Sequence, residues 1–89
     1  MFDNLFRPGR IGSLEVKNRV VKAGSLSLMA TPEGEITPRL VAYYAELARG
    51  GTGLITVDFA YIDSIASQGI HHMLALYSDE HIPGLRRIT

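Results

Sequence analysis

Cysteine and tryptophan are both absent from this 89-residue chain, and neither sign of charge is in excess. Without cysteine, the chain can form no disulfide, no thiolate metal site and no cysteine nucleophile. Its nine basic side chains are balanced by nine acidic ones and are scattered, so the basic stripe typical of nucleic-acid binding is missing. These absences argue against a nucleic-acid partner.

Long hydrophobic runs are missing too, although hydrophobic residues make up 46% of the chain. No run approaches the roughly 20 apolar residues of a membrane-spanning helix. Asp3 stands where a signal peptide would carry basic residues. We therefore expect a cytoplasmic globular protein that has no membrane partner.

The first part of the chain predicts a hairpin and a strand. Residues 6–18 place turn formers between short apolar stretches, which favours a small two-stranded hairpin with the inward residues Ile11, Leu14 and Val16. Residues 19–24 follow as a β-branched run that ends in small residues. They predict a buried strand whose backbone stays open to a ligand at its C-terminal end.

The clearest helical pattern covers residues 38–49. Thr37 and Pro38 supply an N-cap and a proline at the first helical position, and Gly50 with Gly51 ends the pattern where a left-handed residue is expected. A nearly continuous apolar run at 53–61 then predicts a second strand, buried on both faces. Strand, helix and strand form a right-handed βαβ unit, whose parallel pair needs neighbouring strands.

The C-terminal part predicts the entry to another helix. Residues 74–77 lead into Ser78, which is a candidate helix cap. Asp79 and Glu80 follow as the acidic residues of a first helical turn. Residues 82–88 would open the helix itself. No termination signal follows, which predicts that the chain is cut inside this element.

Glycines and serines offer two candidate sites. Gly50, Gly51 and Gly53 invite a phosphate-loop interpretation, but phosphate loops follow a strand and precede a helix, and here the order is reversed. A helix C-cap with a tight turn is favoured instead. Ser25 and Ser27 lack the glycine pattern of a nucleophile elbow and a histidine placed by any motif, so hydrolysis is disfavoured. An ordinary βα loop and a ligand-contacting loop both stay open for them.

The histidines and Asp58 are two further candidate sites. His71, His72 and His81 suggest a metal, but adjacent residues of an extended chain point in opposite directions and no acidic ligand has a recognisable spacing. We favour loop histidines and no metal. Asp58 interrupts the second strand near its C-terminal end, where barrel enzymes place functional groups. We favour a structural role, in which the buried carboxylate accepts hydrogen bonds from loop N–H groups and orders the rim of an active site.

Several short phrases occur in a characteristic order and spacing: residues 5–8 (LFRP) with 11–12 (IG), 17–21 (KNRVV), 48–55 (ARGGTGLI) and 77–82 (YSDEHI). Together they resemble the beginning of old yellow enzyme-type NADH:flavin oxidoreductases. The order matches that family's N-terminal hairpin, first strand, first helix, second strand and entry to the second helix. The resemblance covers essentially the whole chain.

The resemblance implies an α/β fold, a partial TIM (βα)8 barrel that comprises the N-terminal β-hairpin and the first two βα units. Residues 1–89 would then be the incomplete N-terminal part of a single FMN-binding domain. The complete enzyme would reduce activated carbon–carbon double bonds of small α,β-unsaturated substrates, with hydride that passes from NADH or NADPH through FMN. The 89 residues alone are expected to be inactive.

The resemblance also implies flavin contacts at the ends of the two strands. The family's loop along the isoalloxazine ring matches Ala23, Gly24, Ser25 and Leu26, and its strand-two backbone contact matches Phe59. Much of the family has Pro-Met or Pro-Leu in place of Gly24 and Ser25, a flavin-bonding Thr or Cys at Leu26, and in some members a tyrosine at Leu28. The family's substrate-binding histidine pair, or His-Asn pair, lies in later strands, so no catalytic residue is identified in this chain.

A second class of function stays open. A non-catalytic βαβ fragment would serve as an assembly module whose strand edges and apolar helix face pair with another chain. The remainder of the barrel, as a separate polypeptide, is one such partner. Bound flavin would favour the enzyme, and obligate co-purification with a second polypeptide without flavin would favour the module.

Overall fold

The computed structural model describes residues 2–65 and 69–89. Within those ranges the elements are, in chain order, β1 (Gly9–Ile11), β2 (Leu14–Val16), β3 (Val21–Lys22), α1 (Pro38–Arg49), β4 (Leu54–Ile55), β5 (Ala60–Tyr61), β6 (Leu74–Ala75), a 3₁₀ turn (Asp79–His81) and α2 (Ile82–Ile88). The strands pair two by two: β1 with β2 antiparallel, β3 with β4 parallel, and β5 with β6 parallel. In these ranges, neither helix has the length and apolar character of a membrane-spanning segment.

The predicted hairpin is confirmed, but its predicted inward face is not covered. Ile11 pairs with Leu14, so Gly12 and Ser13 form a two-residue turn, and Gly12 has a φ of 60°. Ile11 and Leu14 are 56% and 52% exposed, whereas Val16 is half-buried. The expectation of burial is wrong for the first two, because a two-stranded ribbon has too few neighbours of its own to bury them.

The predicted helix is confirmed from Pro38 to Arg49. The Thr37 hydroxyl accepts a hydrogen bond from Leu40 N at 3.1 Å, which satisfies one of the free N–H groups of the first turn. At the other end Gly51 has a φ of 100°, the left-handed conformation that a glycine adopts without strain. These local signals fix both ends of α1 independently of packing.

The predicted βαβ unit is confirmed, with shorter strands than expected. Val21 lies opposite Leu54 and Lys22 opposite Ile55, and α1 connects the two strands. The expectation of one long second strand buried on both faces is wrong, because the 53–61 run is divided into β4 and β5 and β4 is only half-buried. Helix α1 packs against β4, whereas Val21 of β3 is 55% exposed, so the expectation of a buried first strand is wrong as well.

The C-terminal part adds a strand that the sequence did not predict. Leu74 and Ala75 are buried and pair with β5, which follows β4 in the chain. The Ser78 hydroxyl then accepts from Glu80 N at 3.3 Å, so the predicted cap is confirmed, although its first turn is 3₁₀. Beneath these elements lies the hydrophobic core of Ile36, Leu40, Tyr44 and Leu74.

Candidate functional site

The loop that leaves β3 lies beside the segment that follows β4. Phe59 N donates a hydrogen bond to Ser25 O at 2.9 Å, and Thr56 N donates to Lys22 O at the same distance. The structure therefore brings the loop of residues 23–26 together with Phe59. This edge is the C-terminal end of a parallel strand pair, where α/β folds bind ligands.

This edge carries small and exposed apolar side chains. Ala23 and Leu26 are exposed, the latter at 38%, and Phe59 is 57% exposed. Gly24 is half-buried, and a Cβ placed on it would stand 3.5 Å from Thr56 Cγ2 and 3.8 Å from Phe59 Cε1. Exposed apolar side chains therefore lie beside small residues at this edge.

The two serines of the loop are bonded to charged side chains. Lys22 Nζ lies 2.5 Å from Ala23 O and 2.9 Å from Ser25 Oγ, so the ammonium donates to both. The Ser27 hydroxyl donates to Asp58 Oδ2. In the part of the chain that the structure describes, neither hydroxyl is bonded to a histidine that would serve as a general base.

Asp58 is 8% exposed and is the centre of a buried hydrogen-bonded group. Its Oδ2 accepts from Ser27 N at 2.9 Å, as well as from the Ser27 hydroxyl, and its Oδ1 accepts from the Tyr44 hydroxyl at 2.6 Å. Asp58 N in turn donates to the Tyr44 hydroxyl at 2.8 Å. The prediction that this carboxylate accepts from a loop N–H group is confirmed.

Tyr44 was missed as a site residue by sequence reasoning. It falls on the apolar face of α1 at a core position and is 3% exposed. Burial, and then its hydrogen bond to Asp58, raise the pKa of the Tyr44 hydroxyl well above its usual value. The hydroxyl therefore stays protonated and donates to the carboxylate. No local sequence signal marks it, because its partner lies 14 residues away.

His72 and His81 have different surroundings. His72 has a φ of 66° and its Nδ1 lies 2.8 Å from Ala30 O. His81 is 5% exposed, its Nδ1 lies 3.1 Å from Glu35 Oε1, and its ring meets Tyr77 edge-on at 4.8 Å. The expectation of a loop histidine is therefore wrong for His81, which is buried in the 3₁₀ turn. Residues 2–65 and 69–89 contain no cluster of metal-binding side chains.

Comparison with known proteins identifies the family to which this chain belongs. Residues 4–89 match the sequence profile of the NADH:flavin oxidoreductase / NADH oxidase family. A metal reductase from Desulforamulus reducens is 43% identical over 85 residues, which is 96% of this chain and 12% of the relative. The chain thus spans about an eighth of that relative's length.

Two solved structures of similar proteins superpose on this chain. A 2-naphthoyl-CoA reductase superposes with a TM-score of 0.93 at 30% identity, over 99% of this chain and 13% of the other. Old Yellow Enzyme from Pichia sp. superposes with a TM-score of 0.86 at 24% identity, over 96% of this chain and 22% of the other, which establishes a shared fold. Proteins of this family use FMN, with NADH or NADPH as hydride donor. The chain belongs to the NADH:flavin oxidoreductase / NADH oxidase family.

Proposed function

We propose that this chain is the N-terminal part of an FMN-dependent oxidoreductase that reduces activated carbon–carbon double bonds with hydride from NADH or NADPH. The observation that carries the proposal is the family match over residues 4–89. The similar 2-naphthoyl-CoA reductase is, by its name, a reductase of an unsaturated compound that bears a carbonyl group. Such a substrate class suits hydride addition, because the carbonyl stabilises the charge that develops on the carbon skeleton.

The residues at the C-terminal edge of β3 and β4 fit the ring of FMN. Ala23, Gly24 and Ser25 are small, so an aromatic ring can approach their backbone, and Leu26 and Phe59 offer exposed apolar surface. Their mutual position is set by the hydrogen bond from Phe59 N to Ser25 O. We propose these five residues as the flavin contacts of this chain.

When bound, FMN would supply the hydride chemistry that links a nicotinamide to an activated carbon–carbon double bond. The residues of this chain bind and orient the ring. Lys22 holds the loop by donating to Ala23 O and Ser25 Oγ. Leu26 contributes apolar contact and no hydrogen bond to the ring, unlike Thr or Cys at that position. We assign no catalytic residue to residues 1–89, and we place the groups that polarise the substrate carbonyl in later strands of the barrel.

A role as an assembly module has one observation in its favour. Val21, at 55%, and Phe59, at 57%, are exposed beside the parallel pair of β3 and β4, against which α1 packs. Exposed apolar surface of this kind is completed by further strands, either of the same polypeptide or of a second one. We propose that the remaining barrel strands cover it.

The test uses the polypeptide that carries this segment together with the rest of its barrel, hereafter the complete flavoprotein. It should purify with bound FMN, identified by mass after acid release. NADH or NADPH should bleach the flavin under anaerobic conditions, and 2-cyclohexenone should restore its absorbance. A protein that folds without flavin, or whose reduced flavin is reoxidised by oxygen but by no activated alkene, would overturn the proposal.

A further inference from the structure

The loop of residues 23–26 is held along its length by the chain segment that follows β4. Backbone bonds from Thr56 N to Lys22 O and from Phe59 N to Ser25 O hold its first part, each at 2.9 Å. At Ser27 the pattern changes, because its N–H donates to the Asp58 carboxylate at 2.9 Å. The side chain of Asp58 thus replaces a backbone acceptor at the far end of the loop.

The residue after Ser27 has an unfavourable backbone conformation. Leu28 has a φ of 59°, a left-handed conformation that is unfavourable for a residue with a branched side chain. In the part of the chain that the structure describes, no backbone hydrogen bond joins residues 26–28 to the segment after β4. Such strain persists only where neighbouring interactions fix it. The two bonds from Ser27 to Asp58 are the interactions that do so.

Asp58 is in turn fixed by helix α1. The Tyr44 hydroxyl donates to Oδ1 at 2.6 Å and accepts from the Asp58 N–H at 2.8 Å, so both the carboxylate and its backbone are held. Tyr44 is 3% exposed and belongs to the hydrophobic core, which makes it a rigid support. The raised pKa of Tyr44 is consistent with a hydroxyl that remains a donor.

We propose that Tyr44 and Asp58 are positioning residues for the flavin. Through Ser27 they fix the left-handed turn at Leu28, and thereby hold residues 23–26 in the conformation that contacts the ring. Neither residue belongs to the five proposed flavin contacts. The inference rests on the proposed function, since it takes FMN as the ligand of that loop.

The test compares Tyr44→Phe with Tyr43→Phe in the complete flavoprotein. Tyr43 is adjacent on α1 and meets the Tyr44 ring edge-on at 5.2 Å, but it lies outside the group formed by Tyr44, Asp58 and Ser27. FMN is removed and titrated back, and the folded fraction of each variant is measured by far-UV circular dichroism. We expect Tyr44→Phe to raise the Kd for FMN about tenfold, which corresponds to the loss of one or two hydrogen bonds. Tyr43→Phe should bind FMN like the parent.

The midpoint potential and the visible circular dichroism of bound FMN separate positioning from general stability. Both should change in Tyr44→Phe, because the loop contacts the ring, whereas a merely destabilised fold would leave the folded, loaded protein unaltered. Ser27→Ala perturbs the same group without touching α1 and should shift both quantities in the same direction. If Tyr44→Phe does not fold, Ser27→Ala tests the inference by itself. The inference would be overturned, and the proposed function left intact, if Ser27→Ala and any folded Tyr44→Phe kept the parental Kd, midpoint potential and visible spectrum. A parent protein that binds no FMN would overturn the proposed function.

Discussion

Tyr44 and Asp58 exchange two hydrogen bonds between α1 and the segment after β4, one to the carboxylate and one from the backbone N–H. Burial and the bond to Asp58 raise the pKa of Tyr44. A tyrosine whose pKa is higher in the folded than in the unfolded state contributes stability below about pH 10, and this contribution is lost as the pH rises toward the folded pKa. The alkaline stability of the complete flavoprotein should therefore depend on Tyr44.

This prediction is tested by thermal unfolding of Tyr44→Phe at increasing pH above about 8. The parent should lose stability steeply above about pH 10, and the variant, which is less stable at neutral pH, should lose less on the same rise. Tyr61 contributes to the loss of stability with rising pH in both proteins, because burial raises its pKa as well. Tyr43→Phe serves as the control and should retain the parental slope. An equal alkaline loss in Tyr44→Phe and the parent would contradict the prediction.

Gly34 lies where a side chain has no room. Its φ is 87°, and a Cβ placed on it would stand 2.7 Å from the Tyr61 hydroxyl and 2.9 Å from Ala75 N. We expect Gly34→Ala to lower the free energy of unfolding by about 2–4 kcal/mol, from backbone strain and overpacking together. Gly12→Ala is the matched control, since Gly12 also has a positive φ of 60° but its Cβ would meet nothing within 4 Å. It should cost only about 1 kcal/mol, and equal losses in denaturant unfolding would show that space at Gly34 is not limiting.

Thr37 connects the start of α1 to the preceding loop. Its hydroxyl accepts from Leu40 N at 3.1 Å and donates to Met29 O at 2.5 Å. Thr37→Ala removes both bonds and should destabilise the protein by about 1–2 kcal/mol. Thr37→Ser keeps the hydroxyl and should stay close to the parent in denaturant unfolding. If the serine variant lost as much as the alanine variant, the methyl group and not the cap would carry the effect.

Leu26 is a proposed flavin contact at which the family resemblance implies a threonine or cysteine in many members. A threonine there would supply a hydrogen bond to the ring, worth about 1 kcal/mol. If that bond favours the reduced flavin, Leu26→Thr should raise the two-electron midpoint potential by about 20 mV. Leu26→Val, which has a similar shape but no hydroxyl, is the control and should leave the potential near the parental value. An unchanged or lower potential in Leu26→Thr, with FMN still bound, would refute this placement of Leu26.

The elements that sequence reasoning predicted well are those with local signals. Helix α1 begins and ends as predicted, because Thr37, Pro38 and Gly51 act on their own neighbours. The parallel pair of β3 and β4 follows from the connection through that helix. Strand β6 was missed because two residues are too few to show an alternation.

The candidate site was predicted only where chain position sufficed. The location of residues 23–26 after β3 could be expected from the chain, whereas Phe59 was expected from the family resemblance alone. The role of Asp58 as an acceptor followed from one polar residue in an apolar run. Tyr44 could not be assigned, because its hydroxyl partner is set by the packing of α1 against the segment after β4. The burial of His81 likewise depends on Tyr77 and on Glu35, which lies before α1.

The 89 residues expressed alone should not bind FMN tightly. A barrel of this family's kind takes about 250 residues to close, and the core formed here is small, with Ile36, Leu40, Tyr44 and Leu74 as its buried cluster. The radius of gyration is 14.9 Å, whereas a compact domain of this length has about 12 Å. Exposed side chains such as Val21 and Phe59 add apolar surface, which lowers the solubility of the chain and does not stabilise its fold.

Such a chain buries too little apolar area to offset its conformational entropy, so it should be partly unfolded, aggregated or dependent on a partner. Of the flavin, only the ring would find contacts, at residues 23–26 and Phe59, because we place the loops that bind its phosphate in later strands. Titration of the purified 89-residue chain with FMN, followed by flavin fluorescence, should therefore show weak or no binding, and gel filtration should show no compact monomer. The complete flavoprotein, stripped of FMN and titrated in the same way, is the positive control. Stoichiometric submicromolar binding by a monomeric 89-residue chain would mean that these two βα units form a flavin site without the rest of the barrel.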